Sequence, residues 1–280
     1  MTQILSLHHM TATDLDACQL ADEAAKQGCQ AISTFTHVPA VLPADFPRVS
    51  DQASVRALRS RMTAGNLTLL NAEYFPLTTG VCLEDYRPGL SRAAGLGARQ
   101  ATTHVQIEDA AAQRDAFKAF SDLCAEYGLL LALEFTSTAK IKSLKDALHL
   151  IETAGEGNAV LTLDLLHAAR TGVTVEQIAA IDGSLLGTVQ ICDGPAHMAP
   201  DQLRVESLTN RLPPGSGDLP LVAMLRSVPK GTPIEVEVPQ HPAMKSNVSA
   251  HERIRQAIRG AKSVLERSLI SPIGEGFAPS

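Results

Sequence analysis

Polar side chains that can bind a metal ion close two apolar runs in the second half of the chain. Asp164 ends AVLTLD and Gln190 ends GTVQ. Each is followed three residues later by a second polar group, His167 and Asp193 respectively, where an extended run gives way to a loop. Two successive strands with this kind of ending predict a site at the mouth of a barrel.

Two neighbouring runs extend the set to four residues. LLLALEF carries Glu134 near its carboxyl end, and IEVEV carries Glu237. Three carboxylates converging without a cation would repel one another, whereas one divalent ion would neutralise most of that charge. The pattern therefore predicts a metal held by Glu134, Asp164, Gln190 and Glu237. The alternative is that these side chains are solvated rim residues or helix caps.

The donor atoms narrow the choice of metal. Carboxylate and amide oxygens favour Mn²⁺ or Mg²⁺, and a contribution from His167 would also admit Co²⁺ or Zn²⁺.

The elements that must position these residues alternate regularly along the chain. Eight apolar runs, from 4–7 to 234–238, are separated by helical stretches in units of about thirty residues. Eight βα units in 280 residues predict an α/β protein with a single (β/α)8 TIM barrel. The barrel is expected over residues 1–270, with a C-terminal tail over 271–280.

Capping residues and stop signals predict the bounds of the helices. Thr13 is expected to cap a helix over 14–27, and Ser143 one that ends at Ala154. A last helix is predicted over 250–269. Segment 194–220 breaks the rhythm and is predicted as a long loop with one helix after it.

Composition excludes several classes of function. A net charge of -6 without a basic patch argues against a nucleic-acid partner. Five cysteines without CxxC spacing indicate neither a disulfide framework nor a zinc knuckle, and fit a reducing cytoplasm. No run has the length of a membrane span or the pattern of a signal peptide. We expect a cytoplasmic protein with no membrane partner; barrel enzymes commonly associate, so a homo-oligomer is an open expectation.

The order ALEF, LDLLH, VQICD, PGSGD and IEVEVP resembles the xylose-isomerase-like TIM-barrel superfamily over nearly the whole chain. That superfamily includes sugar isomerases and epimerases, inosose dehydratases and 3-dehydroshikimate dehydratases. The resemblance implies the same four metal ligands, with His167 close by as a substrate or acid–base residue. Endonuclease IV, a more distant relative, is set aside because it would need a multi-histidine zinc cluster and a basic DNA surface.

One departure from the family pattern affects the function. The seventh-strand ligand is most often His in the epimerases, whereas Gln190 here looks like some bacterial 3-dehydroshikimate dehydratases. This difference weakens a simple epimerase assignment. It also replaces an imidazole nitrogen with an amide oxygen, which is a harder donor and favours Mn²⁺ or Mg²⁺ over Zn²⁺.

The chemistry implied is proton abstraction next to a carbonyl through a metal-stabilised enediolate. Glu134, Glu237 and His167 are the candidate catalytic residues. Reprotonation gives an isomerase or epimerase of a small polyhydroxylated or keto-acid substrate, which we favour. Loss of a β-hydroxyl gives a dehydratase of the 3-dehydroshikimate or inosose type. The third hypothesis is a non-catalytic barrel that serves as a partner subunit.

Four further residues are candidate substrate contacts: His9, Glu73, Asp193 and Arg211. Either His8 or His9 could point into the mouth, and Asp193 could equally form the turn before Gly194. The family resemblance implies that Arg211 grips substrate from a loop that closes over the site.

Glu235 alternates with Glu237 in IEVEV, so it is expected on the same face of the strand, one layer deeper in the barrel. A carboxylate at that depth would need a partner such as a lysine.

Overall fold

The eight predicted strands form one closed parallel barrel in a computed structural model that describes residues 3–270 except 41, 44 and 156. Each strand pairs with the next, and the last pairs with the first. The strands are β1 (Leu5–His8), β2 (Ala31–Phe35), β3 (Thr68–Glu73), β4 (Gln100–Thr103), β5 (Leu130–Glu134), β6 (Ala159–Asp164), β7 (Leu186–Ile191) and β8 (Ile234–Val236). The (β/α)8 prediction is confirmed, and the predicted tail over 271–280 lies outside the described residues.

Helices lie between and after the strands and cover the outside of the barrel. They are α1 (Ala17–Lys26), α2 (Gln52–Ala64), α3 (Arg87–Leu96), α4 (Ala110–Glu126), α5 (Leu144–Ala154), α6 (Leu165–Arg170), α7 (Val175–Ala179), α8 (Leu203–Thr209), α9 (Leu221–Arg226), α10 (His241–Lys245) and α11 (Ala250–Leu269). Short 3₁₀ helices span His9–Ala12 and Leu83–Tyr86. Among the helices described, none is long and apolar enough to cross a membrane.

The start of α1 differs from the prediction. The helix begins at Ala17 because Asp16 is its N-cap, accepting from Gln19 N–H at 2.8 Å, while the Gln19 side chain accepts from Asp16 N–H at 2.9 Å. Thr13 instead follows the 3₁₀ helix. The predicted cap Ser143 and the predicted bounds of α11 both agree with the structure.

Segment 194–220 is more ordered than a loop, because it contains α8. Glu206 of this helix is buried and pairs with Arg170 of α6 at 2.6 Å. Arg170 also donates to the carbonyl of Pro195 at 2.7 Å. A buried ion pair therefore fixes the long connection across the end of β6.

The barrel strands are buried on both faces, and the two faces differ in character. Leu5 and Leu7 of β1 belong to the apolar core, whereas the alternate residue Ser6 faces the barrel interior and contacts Glu235 of the neighbouring strand β8. The interior of the barrel is thus polar toward the carboxyl ends of the strands.

Candidate active site

The four predicted ligand residues lie at the same end of the barrel. Glu134 ends β5 and Asp164 ends β6, Gln190 is the penultimate residue of β7, and Glu237 directly follows β8. All four are buried. Asp164 pairs in register with Gln190, so neighbouring strands present them side by side. All four thus stand at the carboxyl ends of their strands, as expected; their role as metal ligands stays a prediction.

Glu134 lies between two histidines. Its Oε2 is 3.0 Å from His104 Nε2, and its Oε1 is 3.9 Å from His167 Nε2. Burial raises the pKa of Glu134 to about 7, although His104 opposes the shift. This carboxyl group can therefore exchange a proton near neutral pH.

Asp164 is fixed by donors on both of its oxygens. Oδ1 caps α6 by accepting from the N–H groups of Leu166 at 2.7 Å and His167 at 3.2 Å. Oδ2 accepts from Arg211 Nη1 at 2.6 Å. Burial alone would raise the pKa of Asp164, but Arg211 and the helix N-terminus outweigh it and lower the pKa. Asp164 is accordingly a permanent negative charge in the site.

Arg211 links two of the predicted metal ligands. Besides Asp164, its Nη1 lies 3.2 Å from Glu237 Oε2, and its Nε donates to the carbonyl of Ser207 at 2.8 Å. The side chain is buried. The family resemblance implied that Arg211 binds the substrate. In this arrangement its guanidinium contacts the carboxylates of Asp164 and Glu237 instead. A substrate contact stays a prediction.

Two oxygens in the site lack a hydrogen-bond donor. Gln190 Oε1 and Glu237 Oε2 are buried and accept no hydrogen bond from the residues described, although Glu237 Oε2 forms an ion pair with Arg211 Nη1 at 3.2 Å. An unpartnered buried acceptor is unfavourable, and a cation would satisfy both. Together with the Glu134 and Asp164 carboxylates, they form an oxygen donor set that fits a hard divalent ion.

His167 is held as a neutral ring. Its Nδ1 accepts from Ser137 N–H at 3.2 Å, which places the proton on Nε2, 3.2 Å from Ser207 Oγ. Burial lowers the pKa of His167 to about 3. His167 is thus suited to donate a hydrogen bond at neutral pH. One ring nitrogen of His167 also lies within 4.8 Å of a carboxylate oxygen of Glu134 and of Asp164.

His8, rather than the predicted His9, faces the carboxylates. Its Nε2 lies 3.4 Å from Glu73 Oε1 and its Nδ1 lies 3.6 Å from Glu237 Oε1. His9 turns away and contacts Thr34 Oγ1 at 2.7 Å and the carbonyl of Leu15 at 2.9 Å. Burial lowers the pKa of His9 to about 4. These contacts do not favour the predicted substrate role of His9.

A family model described as the xylose isomerase-like TIM barrel matches residues 21–264. The chain belongs to this family. No curated protein sequence matches the chain.

Several solved structures share the fold at low sequence identity. The IolI protein with a bound zinc atom is 17% identical, with a TM-score of 0.75 over 95% of this chain and 99% of that one. D-psicose 3-epimerase in the presence of D-fructose is 14% identical, with a TM-score of 0.71 over 94% and 99%. A xylose isomerase-like TIM barrel/4-hydroxyphenylpyruvate dioxygenase fusion protein is 15% identical, with a TM-score of 0.78 over 99% of this chain and 46% of that one. At these identities the likeness shows the fold alone.

His104 belongs to the candidate site but was not among the residues predicted from the sequence. The strand-like run ATTHV in the sequence continues to Val105, but β4 ends at Thr103. His104 is therefore the first residue beyond the strand, where it reaches Glu134 and packs against the Tyr74 ring at a centroid distance of 4.7 Å. The strand-end rule that selected Glu134 would have found it with the correct boundary.

The two remaining predicted substrate contacts are occupied by other groups. Glu73 accepts from Thr102 Oγ1 at 2.8 Å and contacts His8. Asp193 accepts from the backbone N–H groups of Gly194 at 2.9 Å, Gly215 at 2.8 Å and Leu219 at 3.1 Å. Asp193 thus holds the long connection after β7 in place, and its contact with substrate stays a prediction.

Proposed function

We propose that this protein is a divalent-metal-dependent isomerase or epimerase that abstracts a proton next to a carbonyl of a small polyhydroxylated or keto-acid substrate. The observation that carries the proposal is the convergence of three buried carboxylates, Glu134, Asp164 and Glu237, with two oxygens that lack a donor. Several carboxylates at one barrel mouth require positive charge. Arg211 supplies one charge, and His8 and His104, whose pKa values the nearby carboxylates raise against the effect of burial, supply charge when protonated. A divalent ion would add charge where Gln190 Oε1 and Glu237 Oε2 accept no hydrogen bond.

Glu134, Asp164, Gln190 and Glu237 would hold the cation. Bound there, a divalent ion supplies Lewis-acid chemistry, polarising a substrate carbonyl and stabilising negative charge on its oxygen. The all-oxygen donor set favours Mn²⁺ or Mg²⁺. The Co²⁺ or Zn²⁺ alternative would need a free ring nitrogen of His167, whereas Nδ1 accepts from Ser137 and Nε2 carries the proton in the arrangement described.

The proton transfers fall to carboxylates on separate strands. Glu134 has a pKa near neutral and is oriented by His104 at 3.0 Å, which suits a general base. Glu237 follows β8, three strands away around the barrel, and has His8 beside it. One carboxylate can remove a proton and the other can return one, which is the requirement of an epimerase.

His167 has a supporting role in this scheme. Its neutral ring keeps a proton on Nε2, directed into the region between Glu134 and Ser207. That N–H can donate to a substrate oxygen and orient the carbon acid toward the base.

A dehydratase of the 3-dehydroshikimate or inosose type is the second candidate. Gln190 favours it, because an amide stands where epimerases of the resembling superfamily most often have His. The first proton abstraction is shared, and the two reactions differ in whether a β-hydroxyl then leaves.

An isotope experiment tests the proposal on several substrate classes in parallel. Mn²⁺-loaded protein is incubated in D₂O with ketoses, sugar acids, inosose and 3-dehydroshikimate. Deuterium next to the carbonyl together with a new stereoisomer supports the isomerase, and an ultraviolet-absorbing diene from 3-dehydroshikimate supports the lyase. Glu134→Gln and Glu237→Gln should abolish either signal, with exposed Glu84→Gln as the matched control.

The non-catalytic alternative predicts a different result. A partner subunit would retain no stoichiometric Mn²⁺ and would exchange no proton in any substrate. Absence of both signals would overturn the proposed enzyme function, whereas metal retention that is lost in Glu237→Gln would eliminate the partner-subunit alternative.

A further inference from the structure

Glu235 is a buried carboxylate with neutral donors where a lysine was predicted. Its Oε2 accepts from Asn71 Nδ2 at 2.9 Å and from Gln190 Nε2 at 3.0 Å. Its Oε1 accepts from Ser33 Oγ and, at 3.4 Å, from Ser6 Oγ. Among the described residues, hydroxyl and amide groups of the barrel interior rather than a lysine donate to this carboxylate. The positively charged partner nearby is His8, which has a ligand atom within 4.8 Å of one of Glu235.

The contact with Gln190 decides which way the Gln190 amide faces. An amide has a donating nitrogen and an accepting oxygen, and both oxygens of Glu235 accept in this arrangement, Oε2 from the two amides and Oε1 from the two serine hydroxyls. Gln190 therefore turns Nε2 toward Glu235, and Oε1 points elsewhere. The opposite rotamer would place two acceptors against each other.

The oxygen that results from this orientation is buried and has no donor among the described residues. Asn71 shows the same arrangement, with Nδ2 on Glu235 and Oδ1 unpartnered. Glu235 thus sets the orientation of both amides. Of the two, Gln190 is in register with Asp164, a predicted metal ligand.

We infer that Glu235 is a positioning residue that fixes the Gln190 amide so that Oε1, and not Nε2, is presented to the divalent cation. The inference rests on the proposed metal site. An amide oxygen is a ligand for a hard cation and an amide N–H₂ group is not, so the orientation decides whether Gln190 can bind. Groups behind a ligand commonly change metal affinity by about 10- to 100-fold.

A double-mutant cycle on Mn²⁺ affinity tests this role without any activity assay. Free Mn²⁺ is measured by electron paramagnetic resonance for the wild type, Glu235→Gln, Gln190→Ala and the double variant. A glutamine at position 235 can donate or accept, so it no longer imposes one orientation on the neighbouring amide. We expect Glu235→Gln to weaken binding about tenfold or more in the wild-type background, and to have no further effect when Gln190 is Ala.

The cycle separates positioning from plain charge attraction. If Glu235→Gln weakens Mn²⁺ binding equally in both backgrounds, its negative charge acts directly on the ion and the inference is overturned. Unchanged affinity in Glu235→Gln overturns it as well, while leaving the proposed function intact. A wild type that binds no Mn²⁺ overturns the proposed metal site itself.

A measurement on the wild type covers the case in which Glu235→Gln does not fold. The side-chain carbonyl ¹³C resonance of Gln190 is assigned by its loss in Gln190→Ala and followed during titration with Mg²⁺. We expect it to shift and saturate with the bound ion. A carbonyl resonance that stays unchanged at saturating Mg²⁺ would contradict the inference.

Discussion

Arg211 and Asp164 form an ion pair of 2.6 Å in which both side chains are almost completely buried. The same guanidinium lies 3.2 Å from Glu237. Arg211 and a divalent cation would therefore stabilise the same carboxylates, one from the segment after β7 and the other from the barrel mouth. This shared dependence allows the two contributions to be separated by substitution.

Removing the charge of Arg211 should destabilise the metal-free protein and increase its response to metal. Breaking one side of a buried ion pair generally costs about 3–5 kcal/mol, because the remaining charge is left uncompensated. In Arg211→Gln we expect a lower melting temperature without metal and a larger rise on addition of Mn²⁺ than in the wild type. Arg211→Lys, which keeps the charge, is the matched control. Equal Mn²⁺ shifts in wild type and Arg211→Gln would show that Arg211 and the ion do not share these carboxylates.

Asp164 has two separable roles, as cap of α6 and as a predicted metal ligand. Asn retains an oxygen that can cap the helix, whereas Ala does not, and loss of such a cap costs about 1 kcal/mol. We expect Asp164→Ala to be less stable than Asp164→Asn, and both to lose Mn²⁺ affinity and turnover, as followed by thermal melts and metal titration. Wild-type turnover by Asp164→Asn would refute the ligand assignment.

His9 should make stability depend on pH in the mildly acidic range. Its pKa is about 4 in the folded protein and about 6.5 when exposed, so between these values the unfolded chain binds more protons and stability falls as the pH falls. The loss over this window is up to about 3 kcal/mol. Chemical denaturation from pH 7.5 to 4 should show a shallower slope for His9→Asn than for the wild type. Parallel curves would mean that His9 is not held neutral.

His167 and Glu134 should differ in what their loss does to turnover. The neutral His167 ring donates a hydrogen bond, so His167→Gln is expected to reduce kcat about tenfold or less. Loss of a general base typically reduces the rate by about 10²- to 10⁴-fold, which we expect for Glu134→Gln. The measurement is the pH–rate profile on whichever substrate exchanges deuterium. A loss in His167→Gln as large as in Glu134→Gln, with loss of one limb of the profile, would make His167 the base.

The strands and the main ligand set were predictable because parallel barrel strands are buried on both faces and end at a common rim. Glu134, Asp164, Gln190 and Glu237 each stand at or next to a strand end, which is visible in one sequence. The sequence did not show which of His8 and His9 faces the site, because the 3₁₀ turn that begins at His9 redirects the chain.

Hydrogen bonds and ion pairs between residues far apart in the chain could not be predicted from the sequence either. The donors to Glu235 come from β1, β2, β3 and β7, and nothing local to IEVEV indicates them. Helix α8 was missed because it depends on the buried pair between Arg170 and Glu206, which is a tertiary contact.

We propose that one divalent cation binds among Glu134, Asp164, Gln190 and Glu237. A second cluster in the barrel, formed by His8, Glu73 and Glu235, also has its ligand atoms within 4.8 Å of one another. The test must therefore locate the bound ion as well as count it. The most direct test is a crystal structure of the Mn²⁺-soaked protein with anomalous diffraction at the manganese edge. We predict a single anomalous peak in contact with oxygens of Glu134, Asp164, Gln190 and Glu237. A peak between His8 and Glu235 instead, or no peak at saturating Mn²⁺, would contradict the account.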